Sequence, residues 1–454
     1  MGAHEEARRR LVAQYDAIPA GAPVRLAKRT SNLFRPRDRS STTGLDVSGL
    51  DTVLSVDPVA RTADVQAMTT YEHLVDATLA HGLMPSVVPQ LKTITLGGAV
   101  TGLGIESSSF RNGLPHEAVR EIEVLTGEGQ VVVATPDGPD ADLFRTFPNS
   151  YGTLGYALRV LIDLEPVHPY VRLRHVRFTD LDELTAAIDT VVQQRSYDGE
   201  PVDFLDGTVF TADEAYLTLA SWADTAPYTS DYTGNKIYYR SIQQRSLDYL
   251  TVRDYLWRWD TDWFWCSRAF GAQKPRIRRL WPKRWLRSDV YWKLIRLENR
   301  YGIAARLEAR KGLPPRERVV QDVEIALERT ADFLRWFLRE VPIEPIWLCP
   351  LRLRSQEDGT PWPLYPLRKG ETYVNVGFWS TVAIEDGRAD GDVNRRIEAV
   401  VTEHGGHKSL YSDAYYTEEE FWSRYGGEEY HAAKKRYDPQ DRLHDLYEKA
   451  VQRR

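Results

Sequence analysis

Residues 89–113 read Pro89-Gln90-Leu91-Lys92-Thr93-Ile94-Thr95-Leu96-Gly97-Gly98-Ala99-Val100-Thr101-Gly102-Leu103-Gly104-Ile105-Glu106-Ser107-Ser108-Ser109-Phe110-Arg111-Asn112-Gly113, and this stretch limits the possible folds more than any other. Four of the 30 glycines fall within eight positions of it, among small hydroxyl residues. A backbone without Cβ atoms can approach another object closely and offer it amide donors, which suits a phosphate or a flat ring. Tight turns and bulges draw on the same residues. The segment matches neither common phosphate fingerprint: there is no G-x-x-x-x-G-K-[ST], and Gly97-Gly98-x-x-x-Gly102-x-Gly104 lacks the dinucleotide spacing.

The neighbours narrow the choice. Upstream lie two strand-like runs, 52–57 and 62–67, and a helix that a Thr69-x-x-Glu72 capping-box spacing opens and His81-Gly82 ends. Downstream, strands at 118–125 and 130–134 flank Gly127-Glu128-Gly129, and Asp142-Leu143-Phe144 precedes Gly152-Thr153-Leu154-Gly155 and an apolar strand over 158–164. This succession resembles the PCMH-type FAD-binding domain of the vanillyl-alcohol-oxidase superfamily. Within it the chain is more similar to the Δ24-sterol reductase group, through Gly104-Ile105-Glu106-Ser107-Ser108-Ser109, Gly152-Thr153-Leu154-Gly155, Pro345-Ile346-Trp347-Leu348-Cys349-Pro350, Leu410-Tyr411-Ser412-Asp413 and Glu419-Glu420-Phe421-Trp422.

The resemblance implies an α+β protein, with a two-subdomain PCMH-type FAD-binding domain and an α+β substrate cap built on an antiparallel sheet. It implies FAD, with Thr95, Gly97, Gly98, Thr101, Gly102, Gly104, Ile105, Ser107, Ser108, Gly152, Thr153 and Gly155 around the cofactor. Lys435 belongs to a "K-x-x-DP" helix expected to fold back over the flavin. Where the superfamily has a first glycine-rich loop, this chain has Arg29, Thr30, Ser31 and Asn32, which either donate hydrogen bonds to phosphates or form a solvated basic turn. The histidine that anchors flavin covalently in some members is missing from that loop, and 102–113 holds no Cys or His, so FAD is expected to be non-covalent.

A chain of 454 residues accommodates two or three domains. The expected division is a helical arm over 1–20, the FAD-binding domain over 21–168, the cap over 169–409 and a C-terminal segment, 410–454, returning to the flavin. Within the cap, 172–178, 202–205, 208–210, 216–220, 344–351 and 372–378 read as strands, and 180–194 and 318–340 as helices. Thr417 and Glu420 have capping-box spacing.

An insert over 238–311 carries seven of the 13 tryptophans, and 271–300 has ten Lys/Arg against two acids. Such a segment can be tryptophan core under a solvated face, a bilayer contact with Arg at lipid phosphates and Trp at headgroup depth, or a stacking surface for bases. The net charge of −6 weighs against nucleic acid, and a membrane surface is the expected partner. Cys266 and Cys349 stand alone, so no disulfide framework and no metal site is expected. With no apolar h-region near Met1 and no run of about 18 apolar residues, the chain is expected in the cytoplasm, peripheral on the inner face of the cell membrane.

Flavin chemistry leaves the protein to position substrate and to move a proton. Reductases of the resembled group saturate an isolated C=C bond with NADPH as donor, and an unactivated alkene needs an acid nearby and aromatic faces to stabilise positive charge. Glu106, Tyr411, Asp413 and Tyr415 are the candidates for that acid, Glu106 and Tyr411 foremost. Trp347 and Cys349 are expected to line the substrate site. A sterol side chain or a methylene-branched fatty acyl chain carries a suitable alkene; bacterial relatives reduce the latter to 10-methyl fatty acids, and an Arg-rich, Lys-poor composition favours a bacterial source. A flavin oxidase of an alcohol or sugar would share the fold.

Overall fold

A computed structural model of the chain describes residues 2–28, 34, 44–302, 306, 309–354 and 362–453, without the side chain of residue 299. The first sheet holds β1 (Val53–Asp57), β2 (Thr62–Gln66), β3 (Leu83–Pro85), β4 (Val119–Thr126), β5 (Val131–Ala134) and β6 (Gly155–Pro166). Its order is β1-β2-β6-β4-β5, with β3 beside β6. After a turn of three residues the chain enters a second sheet at β7 (Tyr170–Phe178). A short hairpin, β8 (Ser196–Tyr197) and β9 (Glu200–Pro201), stands apart from it. The sheet continues with β10 (Phe204–Thr211), β11 (Glu214–Ala223), β12 (Leu247–Thr251), β13 (Arg316–Ala326), β14 (Ile346–Leu351), β15 (Tyr373–Ala383) and β16 (His407–Lys408), ordered β12-β7-β11-β10-β14-β15-β13-β16. Neighbouring strands pair antiparallel throughout, as in an α+β protein.

The central strands of the second sheet are buried on both faces, β14 along its whole length, and the covering helices follow from the sequence. Helix Leu181–Gln194 is capped by Asp180, whose side chain accepts from the amides of Asp182 and Glu183, and buries Leu184, Ile188 and Val191. Helix α1 (Gly2–Asp16) sets Ala7, Leu11 and Tyr15 against the first sheet, where the Tyr15 hydroxyl donates to the Gly127 carbonyl at 2.6 Å.

Two local readings of the sequence are corrected. The helix α2 (Tyr71–Leu79) is capped by Thr70, one residue after the Thr69 expected, because Glu72 turns outward to pair with Arg287 instead of closing a capping box. Residues 318–340 are not one helix: β13 runs to Ala326 and only Leu327–Glu340 is helical. Val319, Gln321, Val323 and Ile325 alternate inward on β13, and the β-branched Val319, Val323 and Ile325 suit a pleated surface. The apolar positions 319, 323, 327, 331 and 334 also fit a helical stripe, which is why the periods blur across the junction.

Candidate active site

The two sheets face each other across a cleft of about 430 Å³. One wall is glycine-rich. Helix α3 (Leu96–Thr101) is capped by Thr95 and tied to β2 by the Gly97 amide on the Ala67 carbonyl at 2.8 Å. Thr95, Gly97, Gly98, Thr101, Gly102, Gly104, Ile105, Gly152 and Gly155 all line the cleft. Lys28 reaches into the same wall, its Nζ 2.9 Å from Thr95 Oγ1, and Lys449 Nζ donates to the Tyr151 carbonyl at 2.8 Å.

The opposite wall is aromatic. Trp347 of β14, Trp379 of β15, Tyr411, Phe34, Trp263 and Phe264 line it, with Phe264 and Trp379 centroids 4.4 Å apart. Trp263 and Phe264 have φ of 46° and 59° and Tyr151 has 51°, left-handed conformations that bulky side chains rarely adopt. Three cleft-lining aromatics held this way mark a site whose shape the surrounding structure enforces. Of the described lining residues, Asp322 on β13 is the sole carboxylate.

Several expected residues lie elsewhere. Glu106 is buried behind the Trp347 layer, not at the cleft: its Oε1 accepts from Arg258 at 3.1 Å and from Ser107 Oγ at 2.5 Å. The same Arg258 donates to Asp206 Oδ2 at 3.0 Å, an oxygen that also accepts from the indoles of Trp259 and Trp347. Burial pushes the Glu106 carboxyl up, against the pull of Arg258. Ser107, Ser108 and Thr153 are likewise interior: Ser107 Oγ also meets the Tyr255 hydroxyl, Ser108 donates to the Ser86 carbonyl and Thr153 to that of Ser150. Cys349 shares the Trp347 face of β14 but is fully buried beneath it.

Asp413 is held by Arg318 at 2.8 Å, and the half-buried Tyr415 packs beneath Arg395, both outside the cleft. Lys435 points to solvent. Its neighbour Lys434 is the buried one, bonded to Asp438 and to the carbonyls of Thr153 and Leu443, so it ties the C-terminal helix to the first domain. Arg29, Thr30, Ser31 and Asn32 fall outside the described residues.

The tryptophan-rich insert divides. Trp257, Trp259, Trp263 and Trp265 are core, and Arg258 and Arg278 are buried in ion pairs, Arg278 with Asp262 at 2.6 Å. Beyond them, residues 274–277, Arg279, Leu280 and residues 282–285 are exposed, while Leu286, Ser288 and Tyr291 are buried.

A glycine floor beside Arg25, Lys28 and Lys449, facing an aromatic wall, fits a dinucleotide whose diphosphate is anionic and whose ring is flat. Asn375 adds a buried Oδ1 with no partner among the described residues, an acceptor left for something in the cleft. Residues 10–135 match the family described as FAD binding domain. The chain is an FAD-dependent oxidoreductase, and its cofactor domain is of the PCMH type. It is 28% identical over 413 residues to the Delta(24)-sterol reductase of Homo sapiens, covering 87% of this chain and 75% of that protein. To the Delta(24)-sterol reductase of Arabidopsis thaliana it is 27% identical over 430 residues, or 87% and 74% of the two chains. The Decaprenylphosphoryl-beta-D-ribose oxidase of Mycolicibacterium smegmatis is 36% identical over 123 residues, 27% of this chain and 26% of its own length.

The residues reached only through the structure share a cause. Lys28, Lys449 and Asp322, with Asn375 and Trp379 of β15, come from distant parts of the chain and carry no local motif, and Tyr151 and Tyr156 flank the glycine motif at 152–155 without belonging to it. Asp322 lay inside the segment read as a helix.

Proposed function

We propose that this oxidoreductase saturates an isolated carbon–carbon double bond of a lipid, with NADPH as donor and non-covalent FAD. The substrate class is a methylene-branched fatty acyl chain of a phospholipid, reduced to its methyl-branched product. The observation that carries this reading is the wall opposite the glycines: six aromatic side chains and one carboxyl face the flavin-binding floor. An apolar alkene is at home against such a wall, and a sugar, which needs many hydrogen-bond partners, is not. The Delta(24)-sterol reductases at 27–28% identity favour a second reading, a sterol side chain as the alkene.

When bound, FAD accepts an electron pair from a donor and passes it to the substrate. The chain's own residues do the rest. Lys28, Arg25 and Lys449 hold the anionic portion of the cofactor, the glycine wall lets it approach, and the aromatic wall excludes water and faces the developing positive charge.

The test is the absorbance of purified protein under anaerobic conditions. NADPH should bleach the flavin, and phospholipid carrying a methylene-branched acyl chain should restore the colour. Restoration by a sterol side-chain alkene alone selects the second reading. Colour restored only by oxygen or a quinone, after bleaching by an alcohol or sugar, overturns both. Acid precipitation should release intact FAD into the supernatant, since the glycine-rich stretch 102–113 holds no Cys or His to anchor it.

Work on such a lipid requires access to a bilayer, and we place the protein at the inner face of the cell membrane through the outer part of the insert. No described helix is long and apolar enough to cross a membrane. Leu280 is 85% exposed, Trp285 49%, Leu297 50% and Tyr301 46%, among exposed Arg276, Arg279, Lys283, Arg284, Arg296 and Arg300. Apolar side chains interleaved with cations match an anionic lipid surface, each charge contributing about 1 kcal/mol near it. Co-sedimentation with phosphatidylglycerol vesicles is expected, weakening with salt and lost in Leu280→Glu/Trp285→Glu. Arg279→Glu/Arg284→Glu should weaken it at low salt. Absence of parental binding to anionic vesicles would reject this surface.

A further inference from the structure

The cleft contains one acid that no sequence motif marks. Asp322 sits mid-strand on β13, opposite Gly377 of β15, and its Oδ1 accepts from Asn375 Nδ2 at 3.0 Å. Gly377 makes room for it: a Cβ there would lie 2.5 Å from Oδ1. The Tyr411 hydroxyl faces the same carboxyl and accepts from Trp379 Nε1 at 2.9 Å. Trp379, Tyr411, Asp322 and Asn375 are thus gathered around one carboxyl, and all four line the cleft. We propose that Asp322 is the general acid of the site, held in position by Tyr411 and Asn375.

This assignment rests on the alkene-reductase reading. The Asp322 O–H proton adds to one alkene carbon while the π electrons form that C–H bond. The other carbon receives the hydrogen and electron pair that reduced FAD supplies. Two C–H bonds replace one π bond, the carboxylate left behind takes a proton from water, and NADPH reduces the cofactor again.

Burial raises Asp322 to about 6, against the opposing hydrogen bonds from Asn375 and Tyr411. A group poised there holds its proton and still releases it near neutral pH. The titratable groups around it are Tyr411, Glu324 two residues along β13, Cys349 on β14 and Tyr365. Burial pushes all four upward, so they stay neutral as Asp322 titrates and supply no competing charge. The Tyr411 phenol, raised well above its usual range, orients the acid and is a poor donor itself.

Anaerobic stopped-flow separates the two half-reactions. In Asp322→Asn, bleaching by NADPH should stay near the parental rate while reoxidation by methylene-acyl phospholipid slows about a hundredfold or more. Parental reoxidation should fall as pH rises through about 6 and lose that dependence in the variant. Asp322→Glu should restore part of the rate and the pH dependence, and Gly377→Ala should slow reoxidation by displacing the carboxyl. Apart from turnover, infrared difference spectra of the FAD-loaded protein should show a carboxylic-acid band that titrates near pH 6 and is missing from Asp322→Asn. A parent that no alkene reoxidises overturns the reductase reading. Parental reoxidation by Asp322→Asn, or a titrating band that survives the substitution, overturns the Asp322 assignment alone.

Discussion

Gly98→Leu is expected to give a folded protein with less than about a tenth of its flavin. Gly98 lies on the cleft face of α3, where an added Cβ would sit 2.8 Å from Thr95 Oγ1 and 3.5 Å from Lys28 Nζ. The outer atoms of leucine then have nowhere to go but the space that the glycine wall leaves for the cofactor, and they displace the Lys28 ammonium as well. The seam between α3 and the first sheet stays whole, because it depends on the Gly97 amide and on the Leu96 amide that donates to the Thr69 carbonyl at 2.9 Å. Gly97→Leu is the contrast. Its Cβ would meet Ala67 Cβ at 2.8 Å and the Ala67 carbonyl at 2.9 Å, driving α3 off β2, an overpacking that typically costs about 1–3 kcal/mol. The ratio of flavin to polypeptide, measured beside the thermal melt, separates the two: Gly98→Leu loses colour with its melt near that of flavin-free parent, and Gly97→Leu lowers both. Parental flavin content in Gly98→Leu would mean that the cofactor does not lie against this wall.

The cofactor wall was largely legible in the sequence because it is local: Thr95 through Ile105 is one short segment whose glycines and hydroxyl groups act together. The opposite wall was not, because it is assembled from distant segments: strands β13 to β15, the turn at Trp263 and Phe264, Phe34 and Tyr411. Trp347 and Tyr411 were reached through motif resemblance, which marks a position without its direction. Glu106 came from the same resemblance, and its side chain turns inward because Arg258, more than 150 residues later, offers it a buried guanidinium. Asp322 needed a strand where helical and strand periods overlap. The run Val319, Val320, Val323 and Ile325 was the available signal, since β-branched residues crowd a helix and suit a sheet. In the insert, composition could not separate tryptophans at the core from those at the surface; the burial of Trp257, Trp259, Trp263 and Trp265 against the exposure of Trp285 does so.

The buried cluster behind Trp347 carries the largest expected effect on stability. Arg258 is fully enclosed between Glu106 and Asp206, stacked 4.0 Å over the Tyr255 ring, with Nη1 on the Tyr255 carbonyl at 2.9 Å. Arg258→Met removes one cation and strands two carboxyl groups in the interior, and breaking a buried pair in this way costs about 3–5 kcal/mol. The loss depends on pH with a definite sign. Burial already raises the Glu106 carboxyl, and without the guanidinium it rises further, so the protonated form is the one the fold tolerates. The deficit is therefore greatest at neutral and alkaline pH, and shrinks as pH falls and the Glu106 carboxyl takes up a proton. Glu106→Gln with Asp206→Asn, added to Arg258→Met, should recover most of the loss at pH 8, because neutral amides still hydrogen-bond Ser107 and the two indoles. Urea midpoints of the single and triple variants across pH 5–8 test this. A pH-independent loss, or no rescue in the triple variant, would show that Arg258 acts through packing on Tyr255 and Tyr238 rather than through charge. The same variants bear on function, since Trp347 is held by Asp206 at 3.3 Å and packs 5.2 Å from Phe264. When Arg258→Met removes the cation that fixes Asp206, the acceptor of that indole is free to shift, and the aromatic wall loosens while the glycine wall stays intact. Reoxidation by an alkene should then suffer more than flavin content, which places this cluster behind the substrate and not behind the cofactor.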